Sequence, residues 1–178
     1  MVKAVYTRLD LRTYDGADVE NCLGYWNELR GERQFPSWPD FEWMRVPPKL
    51  IPYFGVVDIT PEPLDFIYRF WGTGHVNAQG AEYTGKSASL MEPPEVGQNI
   101  FAQYRETYEA EKPLLFRHVF RESDLHVALE EISLRLPFSS NGETIDKIVA
   151  FSDIRRSSSD AEEFFKAQAA EKQLQFVS

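Results

Sequence analysis

The sequence holds a single cysteine, Cys22, in 178 residues. A lone thiol excludes an internal disulfide and a cysteine-rich metal centre. No apolar run comes near the roughly 18 residues that cross a bilayer as a helix. The first residues, MVKAVYTRLDLRTYDG, carry Lys3, Arg8, Asp10 and Arg12 and no apolar core. They do not read as a secretory leader, so a cytoplasmic location is expected. A basic segment is missing too. Residues 1–60 carry 7 basic against 9 acidic groups, residues 61–125 carry 6 against 10, and residues 126–178 carry 6 against 9. The net charge of −9 is spread evenly. This denies the chain the electrostatic footprint of nucleic-acid binding and fits a solvated surface.

Aromatic side chains are plentiful: 13 Phe, 8 Tyr and 4 Trp. With 43% hydrophobic residues, the chain can bury one sizeable core, and disorder does not describe it as a whole. Phe35 to Pro63 contains seven of the eleven prolines together with Trp38, Phe41, Trp43, Met44 and Ile51. Proline fixes φ and removes a donor, so this stretch is expected to be irregular. Its large apolar groups make it an ordered wrap rather than a linker.

Val19, Cys22, Leu23, Trp26 and Leu29 recur at helical spacing, with Asp15 as a candidate N-cap and Gly31 as the left-handed stop. Tyr53–Ile59 and Phe66–Trp71 read as strands joined by a turn. Alternation puts Phe66, Tyr68 and Phe70 on one face. Gly72-Thr73-Gly74-His75 opens a polar stretch suited to short helices. A long helix is predicted over Pro94–Glu111, carrying Val96, Ile100, Tyr104 and Tyr108. Strands are predicted over Leu114–Glu122, Val127–Phe138 and Thr144–Ile154. Asn141-Gly142 predicts a type I′ hairpin between the last two. Ser157–Asp160 followed by Glu162 and Glu163 predicts a C-terminal helix. The expected fold class is α+β, with a five-stranded antiparallel sheet, a helical crossover, and N- and C-terminal helices. The expected units are residues 1–52 (helix and wrap), 53–155 (core) and 156–178 (helix).

This order resembles that of a PAS domain. The motifs that carry the likeness are Trp26-Asn27-Glu28-Leu29-Arg30-Gly31-Glu32-Arg33 with Phe35-Pro36-Ser37, then Phe66-Ile67-Tyr68-Arg69-Phe70-Trp71-Gly72-Thr73. Gly80, Tyr83-Thr84-Gly85-Lys86-Ser87, Leu134-Arg135-Leu136-Pro137-Phe138 and Asn141-Gly142 complete the set. Their order and spacing, over Leu23–Ile154, are similar to bacterial PAS_5-type proteins. The resemblance implies a sensory or interaction module and leaves the ligand open. Light-sensing flavin PAS domains need a cysteine inside the domain, whereas Cys22 lies on the N-terminal helix. Many haem-binding ones use a histidine on the long helix, and Pro94–Glu111 has none. Both cofactors are therefore disfavoured.

The expected ligand cavity is lined by Tyr68, Phe70, Ile100, Tyr104, Phe116, Ile132 and Leu134, with His75 or His118 as a polar contact. His126 reads as exposed. Glu130 and Glu131 point to opposite faces of a strand, so they cannot form a catalytic pair. Glu131 can point inward with a raised pKa, although a solvated strand face is the stronger reading. Arg33 and Arg69 read as structural, with anion binding as the alternative for either; Arg69 is expected to face Trp26 on the first helix or an acidic neighbour. Val19, Leu23 and Trp26 either pack on the sheet or form a homodimer contact. No nucleophile elbow, phosphate loop or metal-ligand spacing is present. The leading expectation is a PAS sensor that binds a small molecule or a protein partner and signals through its terminal helices. The 24 residues after Ile154 suffice for one helix, so a separate partner is expected to receive the signal. The alternatives are a SnoaL-like cavity isomerase or cyclase, marked by a His–carboxylate contact, and a ligand-free module, marked by a cavity that admits only water.

Overall fold

A computed structural model describes residues 2–122 and 128–154. Within them the chain runs β1 (Val2–Leu9), α1 (Ala17–Arg30), β2 (Phe54–Pro61), β3 (Leu64–Trp71), α2 (Thr73–Gln79), α3 (Pro94–Ala110), β4 (Leu114–Glu122), β5 (Ala128–Phe138) and β6 (Lys147–Asp153). The strands form one open antiparallel sheet in the order β1-β4-β5-β6-β2-β3. The α+β class holds, but the described sheet has six strands rather than five. The sixth is β1, inside the segment read as helix and wrap. It pairs with β4 along its whole length, from Val2 opposite Glu122 to Leu9 opposite Leu115. His126 and the C-terminal helix lie outside the described residues.

Two hydrophobic clusters sit on opposite faces of the sheet. On one face α1 and the proline-rich wrap cover Phe54, Val56, Leu115, Ile132, Leu134, Leu136, Phe138, Val149 and Phe151. On the other, α3, α2 and the segment between them cover Val57, Phe66, Tyr68, Trp71, Ile148 and Ala150. The wrap is ordered, as its apolar content predicts. Short 3-10 turns at Trp38–Asp40, Trp43–Arg45 and Ile51–Tyr53 fold its rings onto the sheet. Trp38 stacks on Phe41 at 5.3 Å, and Phe41 meets Phe138 edge-on at 5.6 Å.

Local chemistry departs from the sequence expectation in three places. The N-cap of α1 is Gly16, not Asp15, and no side chain caps it. Gly31 does end α1 at positive φ, with its N–H bonded to the Asn27 carbonyl. The Asn141-Gly142 pair does not make a two-residue hairpin. Phe138 opposite Lys147 is the last strand pair, and Asn141 Oδ1 instead accepts from the N–H groups of Glu143 and Thr144. An Asx turn has replaced the type I′ turn, and only Gly142 takes positive φ there. The third departure is a bulge in the β2–β3 hairpin. Val56 pairs with Phe70 but Val57 pairs with Tyr68, which leaves Arg69 as the extra residue.

Candidate binding cavity

The bulge decides which side chains share a site. A one-residue slip sends every residue beyond it to the other face. Tyr68 and Trp71 therefore both face α3, with ring centroids 4.6 Å apart. Phe70 turns to the wrap side and packs against Trp43 at 4.9 Å. Strict alternation had put Phe70 beside Tyr68, and the bulge corrects that. Ile132 and Leu134 also belong to the α1 face, in one cluster with Trp26 and Phe151. Strand period two then gives the α3 face of β5 to Glu131, Ser133 and Arg135. Phe116 and His118 are buried on that same α3 face, near Tyr6 of β1 at 5.7 and 6.4 Å. Neither lines the cavity described next.

That cavity lies between α3, α2 and the sheet. It is walled by Tyr68, Trp71, Met91, Val96, Ile100 and Tyr104, with His75, Gln79, Glu131, Arg135 and Ser152 as its polar groups. Glycines bring the walls together. A Cβ on Gly72 would lie 2.2 Å from the Pro52 carbonyl oxygen, and one on Gly74 would lie 2.7 Å from the Tyr53 ring. Only bare backbone lets α2 start against Pro52-Tyr53. That closeness places His75 to donate from Nε2 to the Tyr53 backbone carbonyl, while its ring stacks on Trp71 at 4.3 Å. The bond fixes the tautomer: Nδ1 carries the lone pair, and it has no hydrogen-bond partner.

Arg135 is 3% exposed. Its guanidinium donates to the Tyr104 hydroxyl at 3.1 Å and to Gln103 Oε1 at 3.0 Å, and lies over the Tyr104 ring at 4.3 Å. Nε is buried with no hydrogen-bond partner. A chain of hydrogen bonds continues from Tyr104 through the core. Tyr104 donates to the Tyr68 hydroxyl at 3.5 Å, and Tyr68 donates to Met91 Sδ at 3.3 Å. Because Gln103 accepts from Arg135 with its oxygen, its amide nitrogen faces His118 Nδ1 at 3.5 Å, which makes that ring nitrogen the acceptor.

Burial sets the protonation states here. It pushes His75 down to about 3, with the nearby Arg135 charge adding to the effect, and does the same to His118. Both rings are neutral near pH 7. Glu131, 5% exposed, is raised by burial against the lowering effects of a Ser152 hydrogen bond and Arg135. It is thus an inward-facing acid, whereas Glu130 is exposed and pairs with Arg117 at 2.6 Å. The space itself is small, about 10 Å³. On the scale by which one water needs roughly 10–15 Å³, this is room for about one.

A larger groove of about 380 Å³ opens on the other face, between α1 and the wrap. Two of its polar groups are already paired. Arg45 pairs with Glu28 at 2.7 Å, and Trp26 Nε1 donates to the Pro137 carbonyl at 2.8 Å. Cys22 there is pushed up to about 12 by burial and by Asp18, so it holds its proton. It stands in a different layer from the α3 cavity. Val19 and Trp26, expected as possible dimer contacts, are buried inside the chain at 2% and 5% exposure, and Leu23 is half-buried against the same cluster. The stripe packs on its own sheet. Arg69 reaches Asp58 at 3.1 Å and Arg33 reaches Asp40 at 3.1 Å, both structural surface pairs.

Sequence reasoning brought Tyr68, His75, Ile100 and Tyr104 to one place, and the structure assembles these four in the cavity. It missed Arg135, Gln79 and Trp71. The overlooked signal was the polar alternation Glu131-Ser133-Arg135, which reads as a wet strand face until α3 is laid over it. No family model matches the sequence, and no curated protein matches it. No helix among the described residues is long and apolar enough to cross a membrane.

Proposed function

We propose that the chain is a PAS-type sensory or interaction module whose sensing site is the cavity beneath α3. The reading is supported by the order of the elements: two hairpin strands, a helical crossover and three antiparallel strands, the order on which the resemblance rests. One observation carries it. Arg135 Nε, His75 Nδ1 and Gln79 Oε1, all on residues that line one cavity, are buried without hydrogen-bond partners. Leaving such groups unmet costs about 1–3 kcal/mol each, so a site that keeps three is suited to a ligand that meets them. A ligand shifts a packing equilibrium only by its differential affinity for two arrangements. Here the responsive element is α3, which is tied to the sheet edge by Asn99 Nδ2 to the Ala4 carbonyl at 2.7 Å and by Tyr6 to Glu106 at 2.6 Å. Movement of α3 against the sheet thus reaches β1 and, by the same reading, the terminal helices and a protein partner.

The size of the cavity favours a second reading, a ligand-free module whose polar core is completed by one water. The isomerase reading is weaker. A general base works best with a pKa near the working pH, and both buried histidines sit near 3. The test is to purify the protein natively, record its absorption spectrum, and compare native with denatured mass spectra. A small molecule that is bound natively, released on denaturation, and missing from an Arg135→Met protein supports sensing. A bare protein mass under native conditions, unchanged after exposure to a cytosolic small-molecule extract, supports the ligand-free module.

A further inference from the structure

We propose that the cavity beneath α3 takes the carboxylate of a small hydroxy monocarboxylic acid, with the Arg135 guanidinium as its counter-ion. The inference rests on reading this cavity as the sensing site. Arginine keeps its charge at any working pH. Both groups that accept from Arg135 are neutral, the Tyr104 hydroxyl and the Gln103 amide oxygen. A buried cation is costly unless an anion meets it. The one carboxyl lining the cavity is Glu131, and it makes no ion pair with Arg135; burial raises its pKa against the lowering effects of Ser152 and Arg135. A bound carboxylate would supply the missing charge and accept from Arg135 Nε.

The remaining polar atoms narrow the class. His75 Nδ1 and Gln79 Oε1 are acceptors, so they call for a donor, and a hydroxyl beside the carboxylate provides one. One cation matches one negative charge. A dicarboxylate or a phosphate would set its second charge among Glu131 and the tyrosines. A neutral ligand would leave Arg135 uncompensated. Trp71, Val96 and Ile100 give a wall for one or two carbons. Since the closed space equals about one water, binding requires α2 to shift outward. That helix is seven residues long and ends at Gly80 in the left-handed region, φ 68°, beside the half-buried Gln79.

The test is an NMR titration of the whole protein with glycolate, acetate and neutral acetamide, with ionic strength held constant by choline chloride. The readout is the indole N–H of Trp71, which lines the cavity, against that of Trp26, on the far face. Saturable movement of Trp71 alone is expected, with glycolate binding more tightly than acetate and acetamide giving none. Arg135→Met should weaken glycolate binding by about tenfold or more. Arg45→Met, in the other groove, should not change it. If Arg135→Met fails to fold, Arg135→Lys keeps the charge, removes Nε, and should still weaken binding severalfold. Equal binding of acetamide and acetate, or unchanged binding by a folded Arg135 variant, overturns the proposal. A protein that ignores all three probes yet releases a neutral compound on denaturation overturns the carboxylate and leaves the sensing reading standing. One that ignores them and releases nothing overturns both.

Discussion

His75, His118 and Glu131 bring three titratable groups beneath one helix, and their titration should govern stability below neutral pH. Each histidine has a folded pKa near 3, against about 6.5 in the unfolded chain. Between those values the unfolded state binds more protons, so stability rises with pH across the window and falls as acid is added. From pH 7 to pH 5 each histidine should cost about 2 kcal/mol. Glu131 runs the other way: its raised folded pKa adds stability that is full at low pH and is lost as pH rises through that value. Urea midpoints at pH 7 and pH 5 measure the net effect. The midpoint should fall at pH 5, and His75→Gln and His118→Gln should each flatten the slope by a similar amount. A wild-type midpoint that does not move over this range would contradict the neutral, buried histidines. Trp26 gives a second residue-scale expectation. It is buried and its indole holds the Pro137 carbonyl. Trp26→Ala should destabilise by about 3–5 kcal/mol in chemical denaturation. A folded variant with unchanged stability would instead mean that the stripe is an interface rather than core.

At the scale of elements, the sequence was most legible where pattern and burial agree. Helix α1 shows its stripe at three- and four-residue spacing, and β4 begins and ends where its run of residues does, at Leu114 and Glu122. It was least legible where a single residue changes the outcome. Nothing in Phe66–Trp71 announces that Arg69 will bulge, because both faces of that strand are aromatic and either assignment buries rings. The bulge therefore misplaced Phe70 and hid Trp71. The polar face of β5 misled for a related reason: Glu131, Ser133 and Arg135 look solvated until a distant helix covers them. The glycines before α2 make a sharper claim. Gly72 has φ −65°, which any residue adopts, so its need for glycine is steric alone. Gly72→Ala would drive a methyl into the Pro52 and Phe54 carbonyl oxygens, at 2.2 and 2.8 Å. Backbone cannot step aside as a side-chain tip does, so a loss of about 3 kcal/mol is expected. Hydrogen exchange should show opening concentrated in α2. Uniform protection with unchanged stability would mean that α2 does not depend on this contact.

Across the whole molecule, three layers share one sheet, and the two edges of that sheet are treated differently. The β3 edge is covered: Tyr68 N–H bonds the Lys86 carbonyl, and the Gly85 N–H bonds the Tyr68 carbonyl. The β1 edge instead meets a side chain, Asn99 Nδ2 on the Ala4 carbonyl, and Val5 is exposed there. An edge strand is protected by charge and short length, and that protection hides it in a sequence. Lys3 and Arg8 break the apolar pattern of β1, so the segment reads as a polar lead-in. The strand nonetheless has a structural task. It covers the edge of β4, packs Tyr6 on Phe116, and joins α3 through Asn99 and Glu106. A protein lacking residues 1–9 keeps the five strands β2 to β6 but bares the β4 edge beside buried Leu115 and Phe116. It should associate through that edge, giving higher solution mass by light scattering and a lower thermal midpoint than the full chain. Val5→Lys in the full chain changes only an exposed position and should leave both unchanged. If the truncated protein stays monomeric with an unchanged midpoint, five strands suffice, and β1 is an addition to the fold rather than part of its stability.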